Sequence, residues 1–206
     1  MKVMLLNGSP NEKGSTFTAL SEVAGAIESC GVGAEIIHIG KGPISGCNAC
    51  RACYKTGKCV IDDNVNVVHE RAKEFDGFVF GAPVHYSGVA GGMSSFLDRL
   101  FYHKNERFFH KPGAAVVVCR RGGATAAFDR LNKYFTISQM PVVSSQYWNM
   151  VHGTGPQEVL QDLEGLQVMR VLGRNMAWLL KSIEAGKKAG VEIPEEEKRI
   201  MTNFIR

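Results

Sequence analysis

The chain of 206 residues is 45% hydrophobic and 21% charged, which are ordinary values for a globular protein and exclude an intrinsically disordered one. Its formal net charge of +4 comes with no dense block of Lys and Arg, so nucleic acid is not expected as a partner. No apolar run approaches the roughly eighteen residues that span a bilayer, and no basic and apolar leader precedes the first strand, so we expect a cytoplasmic protein without a membrane partner.

The first predicted element is an apolar strand over residues 2–6, which is followed by a loop rich in Gly, Ser, Pro and Asn and by a helix over residues 16–29. A helix that begins after such a loop presents unpaired amides and a partial positive charge to an anion. Ser9, Ser15 and Thr16 add hydroxyl donors. The sequence therefore predicts a phosphate site in this loop.

The order of residues in the loop distinguishes between kinds of phosphate site. A Walker loop needs Gly-x4-Gly-Lys-Ser/Thr, whereas Lys13 here precedes Gly14. The dinucleotide fingerprint Gly-x-Gly-x-x-Gly is missing, and the loop contains no cysteine that could be a phosphatase nucleophile. What remains is a monophosphate bound by hydroxyls and amides, as in sites for flavin mononucleotide (FMN), with a capped surface turn as the alternative.

The next elements alternate between strand and helix. A second strand is predicted over residues 34–39, a cysteine-rich loop over residues 46–63, a helix over residues 65–74 and a third strand over residues 77–82. This alternation predicts a parallel sheet with helices on both faces, in which ligands bind at the carboxyl ends of the strands.

The later elements continue the same pattern. They are a helix over residues 93–102, a strand over 114–119, a helix over 126–134, a strand over 141–145 and a helix over 156–185. The sequence thus predicts a single α/β domain over residues 1–206, a three-layer sandwich around five parallel strands. Glycine-containing loops follow the third and fourth strands, and we expect them beside the phosphate loop.

Four of the six cysteines, Cys47, Cys50, Cys53 and Cys59, fall within thirteen residues. In a chain that is not a small secreted domain, such a cluster indicates metal or redox chemistry rather than disulfides. The spacing Cys-x2-Cys-x2-Cys-x5-Cys is compact enough for a [4Fe-4S] cluster with one cysteine on each iron. Structural zinc and cysteines without a metal are the two alternatives.

Three groups of residues, in this order and spacing, resemble the NADPH-dependent FMN reductase family. They are Gly8-Ser9-Pro10 with Gly14-Ser15-Thr16, Ala82-Pro83-Val84-His85-Tyr86, and Phe96-Leu97-Asp98-Arg99. Residues 47–53 with residues 59–63 are similar to the cysteine segment of the iron-sulfur flavoproteins within that family. The resemblance extends to about residue 150 and implies a flavodoxin-like fold, bound FMN, and a homodimer or homotetramer with the flavin near a subunit boundary.

The FMN site is predicted from the residues and the resemblance together. The candidates at the phosphate are Ser9, Asn11, Ser15, Thr16 and Phe17, and those along the flavin ring are Pro83, Val84, His85, Tyr86, Ser87 and Gly88. Amides of the second group suit N5 and the pyrimidine edge of the ring, while the His85 and Tyr86 side chains either flank the ring or are packed loop residues.

The loop after the fourth strand is the other candidate at the ring. Gly122 and Gly123 would let the backbone approach the flavin, and Arg120 or Arg121 would attract the phosphates of a nicotinamide donor. The alternative for the two arginines is a solvated pair. No side chain is assigned as catalytic with certainty, because the flavin carries the chemistry at N5.

The leading functional hypothesis is an FMN oxidoreductase that NADH or NADPH reduces and that relays electrons through a cluster at the four cysteines. One alternative is a cluster-free reductase of a quinone, a nitro compound or free flavin. Another is a non-catalytic flavin carrier that exchanges electrons with larger proteins. The mild positive net charge argues against such a carrier.

A homo-oligomer is expected because a planar cofactor at the open edge of a sheet needs a lid, and this chain has few residues left to build one. The candidate contact residues are the aromatic side chains at the end of the 93–102 helix and shortly after it, namely Phe101, Tyr102, Phe108 and Phe109. Ordinary core packing is the alternative for them.

Overall fold

In a computed structural model, the protein has a central β-sheet with helices on both faces. The structure describes residues 1–102, 106–198 and 200–204. The strands are β1 (Lys2–Asn7), β2 (Gly33–His38), β3 (Gly77–His85), β4 (Gly88–Val89), β5 (Gly113–Cys119) and β6 (Met150–His152). The helices are α1 (Ser15–Ser29), α2 (Cys53–Thr56), α3 (Asn64–Arg71), α4 (Gly91–Tyr102), α5 (Ala124–Ile137), α6 (Pro156–Val159) and α7 (Leu163–Lys188), with a 3₁₀ turn at Ala72–Glu74.

The order of the strands is β2-β1-β3-β5-β6, and every pair along this path is parallel. This is the order of the flavodoxin-like doubly wound fold, so the predicted fold class is confirmed. The short β4 is a sixth strand, which pairs antiparallel with the end of β3 and lies off this path. Because the chain reverses its direction of winding between β1 and β3, their carboxyl ends open a crevice for a ligand.

The central strands β1, β3 and β5 are buried on both faces, which explains why their sequences are nearly continuous apolar runs. On one face, Met4, Leu6 and Phe80 belong to a core that α3, α4 and α5 complete. On the other face, Leu5 and Val79 pack in a second core under α1 and α7. The two cores fix the sheet between its helices and hold the strand ends rigidly in place.

The prediction of a strand over residues 141–145 is wrong. This segment pairs with Gly113 alone: the Gly113 amide donates to Pro141 O at 2.9 Å, and the Val143 amide donates to Gly113 O at 2.8 Å. The chain then leaves the edge of the sheet and returns to it at β6, where the Val117 amide donates to Asn149 O at 3.0 Å. The fifth parallel strand is therefore β6.

Contacts with α7 explain why the apolar segment does not continue as a strand. The Ser145 hydroxyl donates to Val168 O at 2.7 Å, and the Asn175 side-chain amide donates to Ser144 O at 2.9 Å. Because of these two bonds, residues 144 and 145 contact α7 and do not pair with β5.

The third strand also differs from its prediction, since it continues past residue 82 to His85 and turns back into β4. The turn is made by Tyr86 and Ser87, with φ values of 49° and 59°. Two successive residues at positive φ form the tight hairpin turn that fits the twist of the sheet, but it usually contains Gly or Asn. Because neither residue is typical of that turn, the sequence did not reveal the hairpin.

The long C-terminal helix is divided in two. The Asp162 carboxylate accepts from the Gly165 amide at 2.9 Å and so caps α7 at its start, while α6 is a separate single turn. Within the described ranges, no helix has the length and apolarity needed to cross a membrane.

Candidate functional site

An open cleft of about 230 Å³ lies where the carboxyl ends of β1, β3 and β5 meet. It is lined by Ser9, Pro10, Asn11, Gly14, Ser15, Thr16, Pro83, His85, Val118, Gly153, Thr154 and Pro156. The loop after β1 thus forms one wall, and the end of β3 and the segment after β6 form the others.

The loop after β1 is held in shape by its own polar groups. The buried Asn7 side chain donates to Glu12 O at 2.8 Å and accepts from the Ser9 amide at 3.1 Å. The Ser9 hydroxyl oxygen accepts from the Asn11 amide at 3.1 Å, and His38 Nε2 lies 2.7 Å from Ser9 O. Sequence reasoning missed Asn7 and His38, although a polar residue ending an apolar strand is a signal for Asn7.

The start of α1 offers donors without acceptors. No side chain caps the helix at Gly14, and the Thr18 amide is the first to bond within it, to Gly14 O at 3.1 Å. The amides of Ser15, Thr16 and Phe17 therefore have no acceptor inside the helix. The absence of a side-chain cap argues against the alternative of a capped surface turn.

The Thr16 hydroxyl oxygen is the other unsatisfied group at the start of α1. It is buried and has no hydrogen-bond partner in the described part of the chain. Leaving such a group unpaired costs about 1–3 kcal/mol, so an acceptor in the cleft would recover this energy. The donor set fits an anion such as the phosphate of FMN.

The predicted FMN residues divide into two groups. Ser9, Asn11, Ser15, Thr16, Pro83 and His85 line the cleft, whereas Phe17, Val84, Tyr86, Ser87, Gly88, Arg120, Gly122 and Gly123 do not. The centroid of the Phe17 ring lies 3.9 Å from Lys13 Nζ, outside the cleft. The Tyr86 side chain is fully exposed at the tip of the hairpin.

The loop before α5 packs directly against this hairpin. A Cβ atom on Gly123 would lie 2.7 Å from Ser87 Cα, and the φ of Gly123 is +89°, so this position requires glycine. Arg120 and Gly122 are exposed beside it. The close approach brings the two glycine-containing loops together, as their places at neighbouring strand ends predict.

The segment after β6 was missed as part of the site, because β6 itself was not predicted. Val118, at the end of β5, and Gly153 and Thr154, which follow β6, line the cleft. The Gly-Thr-Gly-Pro sequence at residues 153–156 is the signal for a loop before a helix that could have indicated it.

A second cleft of about 180 Å³ adjoins the first and shares Ser9, Pro10 and His85 with it. Its other lining residues are Gly8, Ile39, Gly40, Lys41, Gly42, Ile44, Ala90, Gly91 and Gly92. His85 therefore stands between two adjoining spaces. The segment at residues 39–44 leads from the second one to the cysteine-rich loop.

The four clustered cysteines face one small cavity of about 20 Å³. Cys47 and Cys50 are exposed, Cys53 is buried, and Cys59 is half-buried. The loop between the first three curls through two non-glycine residues at positive φ, Ala49 at 55° and Arg51 at 59°. Burial foremost, followed by the neighbouring cysteine thiols, raises the pKa of Cys53.

The donor chemistry of this cavity fits an iron-sulfur cluster. Among the described residues, no three His, Cys, Asp or Glu side chains are arranged around a single ion. A [4Fe-4S] cluster makes a different demand, because each of its irons takes one thiolate and the four sulfurs surround the cluster at separate points. Four thiols line one cavity, without a carboxylate or imidazole among the lining residues, so the ligand types are those of an iron-sulfur cluster.

Arg99 of α4 is buried beside the cysteine cavity, with 1% of its surface exposed. Its guanidinium donates to both oxygens of Asp63, at 2.6 and 2.9 Å, and its Nε and Nη2 each lie 3.4 Å from Cys59 Sγ. Burial works against the charge of Arg99, but the hydrogen bonds to Asp63 and Cys59 leave its pKa raised.

Asn66 of α3 fixes the backbone around Cys59. Its side-chain oxygen accepts from the Cys59 amide at 2.9 Å, and its amide donates to Cys59 O at 3.0 Å and to Ile61 O at 3.1 Å. Sequence reasoning missed these roles of Asn66 and Arg99, because the partners are separated along the chain.

Comparison with known proteins yields one family. A family model described as NADPH-dependent FMN reductase matches residues 1–155. An iron-sulfur flavoprotein of Methanocaldococcus jannaschii is 31% identical over 197 residues, which cover 89% of this chain and 100% of the relative.

Two solved structures share the fold. One is RosB with bound 8-demethyl-8-formylriboflavin-5'-phosphate, with a TM-score of 0.69 at 15% identity over 100% of this chain and 92% of that one. The other is a flavodoxin from the domain Archaea, with a TM-score of 0.60 at 18% identity over 88% of this chain and 99% of that one.

Proposed function

Because the chain belongs to the NADPH-dependent FMN reductase family and is related to the iron-sulfur flavoproteins, we propose that it is an FMN-dependent oxidoreductase that NADH or NADPH reduces and that passes electrons on through a [4Fe-4S] cluster. The family itself makes the protein a flavin oxidoreductase. The nicotinamide donor, the cluster and the residues assigned below are the proposal.

The unpaired donors at the start of α1 carry the proposal. The buried Thr16 hydroxyl and the free amides of the first helical turn lie in a cleft at the carboxyl ends of the strands. We assign them, with Ser9, Asn11 and Ser15, to the FMN phosphate. A doubly charged phosphate would satisfy these groups with charge-assisted hydrogen bonds.

The flavin ring is assigned to the β3–β4 hairpin. Pro83 and His85 already line the cleft, and Tyr86 and Ser87 present their amides at the hairpin tip, between the paired residues His85 and Gly88. FMN supplies hydride and single-electron chemistry when it is bound. His85 borders both clefts, so its side chain would flank the ring where the two spaces meet.

The loop before α5 is assigned to the donor side of the flavin. Gly123 packs against the hairpin, while Gly122 and Arg120 are exposed next to it. The exposed Arg120 and Arg121 would attract the phosphates of NADH or NADPH.

The cluster is assigned to Cys47, Cys50, Cys53 and Cys59, which line one cavity. Residues of the 39–44 segment line the second cleft, and this segment leads along the chain to the cysteine-rich loop. The proposed cluster would therefore be connected to the edge of the FMN cleft by this short segment of chain.

Anaerobic purification followed by an absorption spectrum and iron analysis tests the proposal. Flavin and cluster absorbance are both expected, and NADH or NADPH should bleach the flavin. Cys50→Ser should lose the cluster and keep FMN, while Cys30→Ser, outside the cavity, is the matched control.

Two results would point to other functions. Less than about one iron per chain together with full reduction of acceptors would indicate the cluster-free reductase. A flavin that a protein donor reduces, but that neither NADH nor NADPH bleaches, would indicate the electron carrier.

A further inference from the structure

Arg99 places a buried positive charge in direct contact with one of the four cysteines. Two of its nitrogens, Nε and Nη2, each lie 3.4 Å from Cys59 Sγ. We propose that Arg99 is a positioning residue that holds the Cys59 sulfur in place by two hydrogen bonds and raises the reduction potential of the cluster that Cys59 ligates. This inference rests on the proposed function.

The guanidinium is held from several sides. Asp63 accepts from Nη1 and Nη2, Ile61 O accepts from Nη2 at 2.9 Å, and Ser45 O lies 3.4 Å from Nη1. Because these acceptors fix the plane of the guanidinium, its Nε edge points at Cys59 without a rearrangement. The donors are therefore oriented before a cluster is bound.

The charge of Arg99 is shielded from water more strongly than that of its counter-ion. Arg99 has 1% of its side chain exposed, whereas Asp63 has 32% exposed. Solvent screens an exposed charge more than a buried one, so Asp63 offsets only part of the positive charge that the sulfur experiences.

The effect on a cluster follows from charge. Four thiolates make a cluster site negative, and reduction adds one further electron. A buried cation and hydrogen bonds to a ligand sulfur favour the more negative, reduced form, so they raise the potential. The carboxylate of Asp63 lowers the potential, because its negative charge offsets part of the positive charge of Arg99.

The test is a redox titration of three full-length variants, purified anaerobically. In Arg99→Gln the charge is lost, and in Arg99→Lys the charge stays but the planar fork is lost. Asp63→Asn removes the counter-charge, while its side-chain oxygen can still accept from the Val65 amide that Asp63 caps. Arg130→Gln is the control, since Arg130 is an exposed arginine that pairs with Asp98 and lies outside the cysteine cavity.

The readouts are iron content and the midpoint potential of the cluster, measured by dithionite titration with mediators and electron paramagnetic resonance. Arg99→Gln should lower the equilibrium constant for one-electron reduction about tenfold, which is a fall of about 59 mV. Arg99→Lys should lower it less, Asp63→Asn should raise it, and Arg130→Gln should leave it unchanged. FMN content should be the same in all variants.

The cluster potential should fall in the Arg99 variants and rise in Asp63→Asn. Structural damage would instead shift the potential in the same direction in all of them. Unchanged potentials with full iron content, or shifts of the same sign at Arg99 and Asp63, would overturn the inference and leave the proposed function intact. If Arg99→Gln holds no iron, the signs for Arg99→Lys and Asp63→Asn decide the matter in the same way. Wild-type protein that holds no iron after reconstitution would contradict the cluster and the inference together.

Discussion

Thr16 has a buried hydroxyl that makes no hydrogen bond within the described residues, at the first turn of the helix next to the cleft. A protein that keeps such a group loses stability in the free state. The simplest physical reason for keeping it is a ligand that pairs with it. Thr16 therefore allows the effect of the hydroxyl on binding to be separated from its effect on folding.

We predict that Thr16→Val weakens FMN binding by about 1–3 kcal/mol, because a charge-assisted hydrogen bond to phosphate is lost. Without FMN, the free energy of unfolding should be unchanged or higher, since an unpaired buried hydroxyl has been removed. Fluorescence titration with FMN and urea unfolding measure the two quantities.

Thr18→Val is the matched control for this prediction. The Thr18 hydroxyl donates to Gly14 O at 3.3 Å, and Thr18 does not line the cleft. Its substitution should leave FMN affinity within about twofold of the wild type, which is below the effect of one hydrogen bond. Equal affinity of FMN for wild type and Thr16→Val would contradict the phosphate assignment.

At the scale of secondary-structure elements, ion pairs of Glu35 link β2 with β1 and α3. From β2 it accepts from Lys2 Nζ of β1 at 2.6 Å and from Arg71 Nη2 of α3 at 2.8 Å. The hydrogen bond from Lys2 is the main cause that lowers the pKa of Glu35 below its ordinary value of 4.5, and Arg71 adds to it against the opposing effect of burial. The carboxylate therefore stabilises the fold above about pH 4.5, and this contribution disappears as the pH falls through the lowered pKa.

We predict that Glu35→Gln lowers the free energy of unfolding at pH 7 by less than about 1 kcal/mol, since the pairs are partly exposed. The difference from the wild type should shrink as the pH falls below 4.5, where the wild-type carboxylate becomes protonated. Urea unfolding at several pH values measures it. Glu28→Gln, at an exposed position of α1, is the control, and a difference that grows at low pH would contradict the prediction.

The packing of α1 against α7 depends on a glycine. A Cβ atom on Gly173 would lie 2.6 Å from Val23 O and 2.7 Å from Ala26 Cβ, so backbone atoms of the two helices would have to separate. At Gly25 on α1, by contrast, a Cβ atom would meet nothing within 4 Å. A side chain at Gly173 would therefore collide with α1, whereas a side chain at Gly25 has free space around it.

We predict that Gly173→Ala lowers the free energy of unfolding by about 1–3 kcal/mol through overpacking. Gly25→Ala should raise it by about 0.5–1 kcal/mol, because alanine loses less backbone entropy in a helix. Thermal and urea unfolding of the two variants provide the comparison, and each serves as the control for the other. Stabilisation by both substitutions would show that α1 and α7 are not packed this closely.

At the scale of the whole molecule, the assembly of subunits is an open prediction. Two of the aromatic residues proposed as contacts, Phe101 and Phe108, belong to the core, where their rings stack 4.7 Å apart. They are therefore not available to a second subunit. Trp178, on α7, is 69% exposed, so it is the better candidate for a contact.

We predict a homodimer or homotetramer whose association Trp178→Lys weakens about tenfold or more, as expected for an aromatic residue buried at an interface. Sedimentation velocity over a range of concentrations measures this. Val67→Lys changes an exposed apolar residue on α3, on the other face of the sheet, and should have no effect. A monomeric wild-type protein with FMN bound would refute the assembly.

The sequence by itself determined the order of the main elements and the position of the loop between β1 and α1. Residues 16–29 were predicted as a helix that the structure shows at Ser15–Ser29, and residues 114–119 as a strand that it shows at Gly113–Cys119. These features could be predicted because their signals are local: buried strands are continuously apolar, and glycine, proline and hydroxyl residues mark the turns. The spacing of the four cysteines is equally local.

Only the tertiary structure decided the features that depend on distant partners. Residues 141–145 have the apolar character of a strand, but hydrogen bonds between α7 and residues 144 and 145 hold these two residues away from the sheet, and β6 takes the place of the strand. In the same way, Arg99 reads as a polar position on a helix until the fold places it against Cys59, forty residues earlier in the chain. Such contacts could not be predicted from one sequence, because local patterns fix which elements form, whereas the competition among neighbouring elements for hydrogen bonds and space fixes which of them meet.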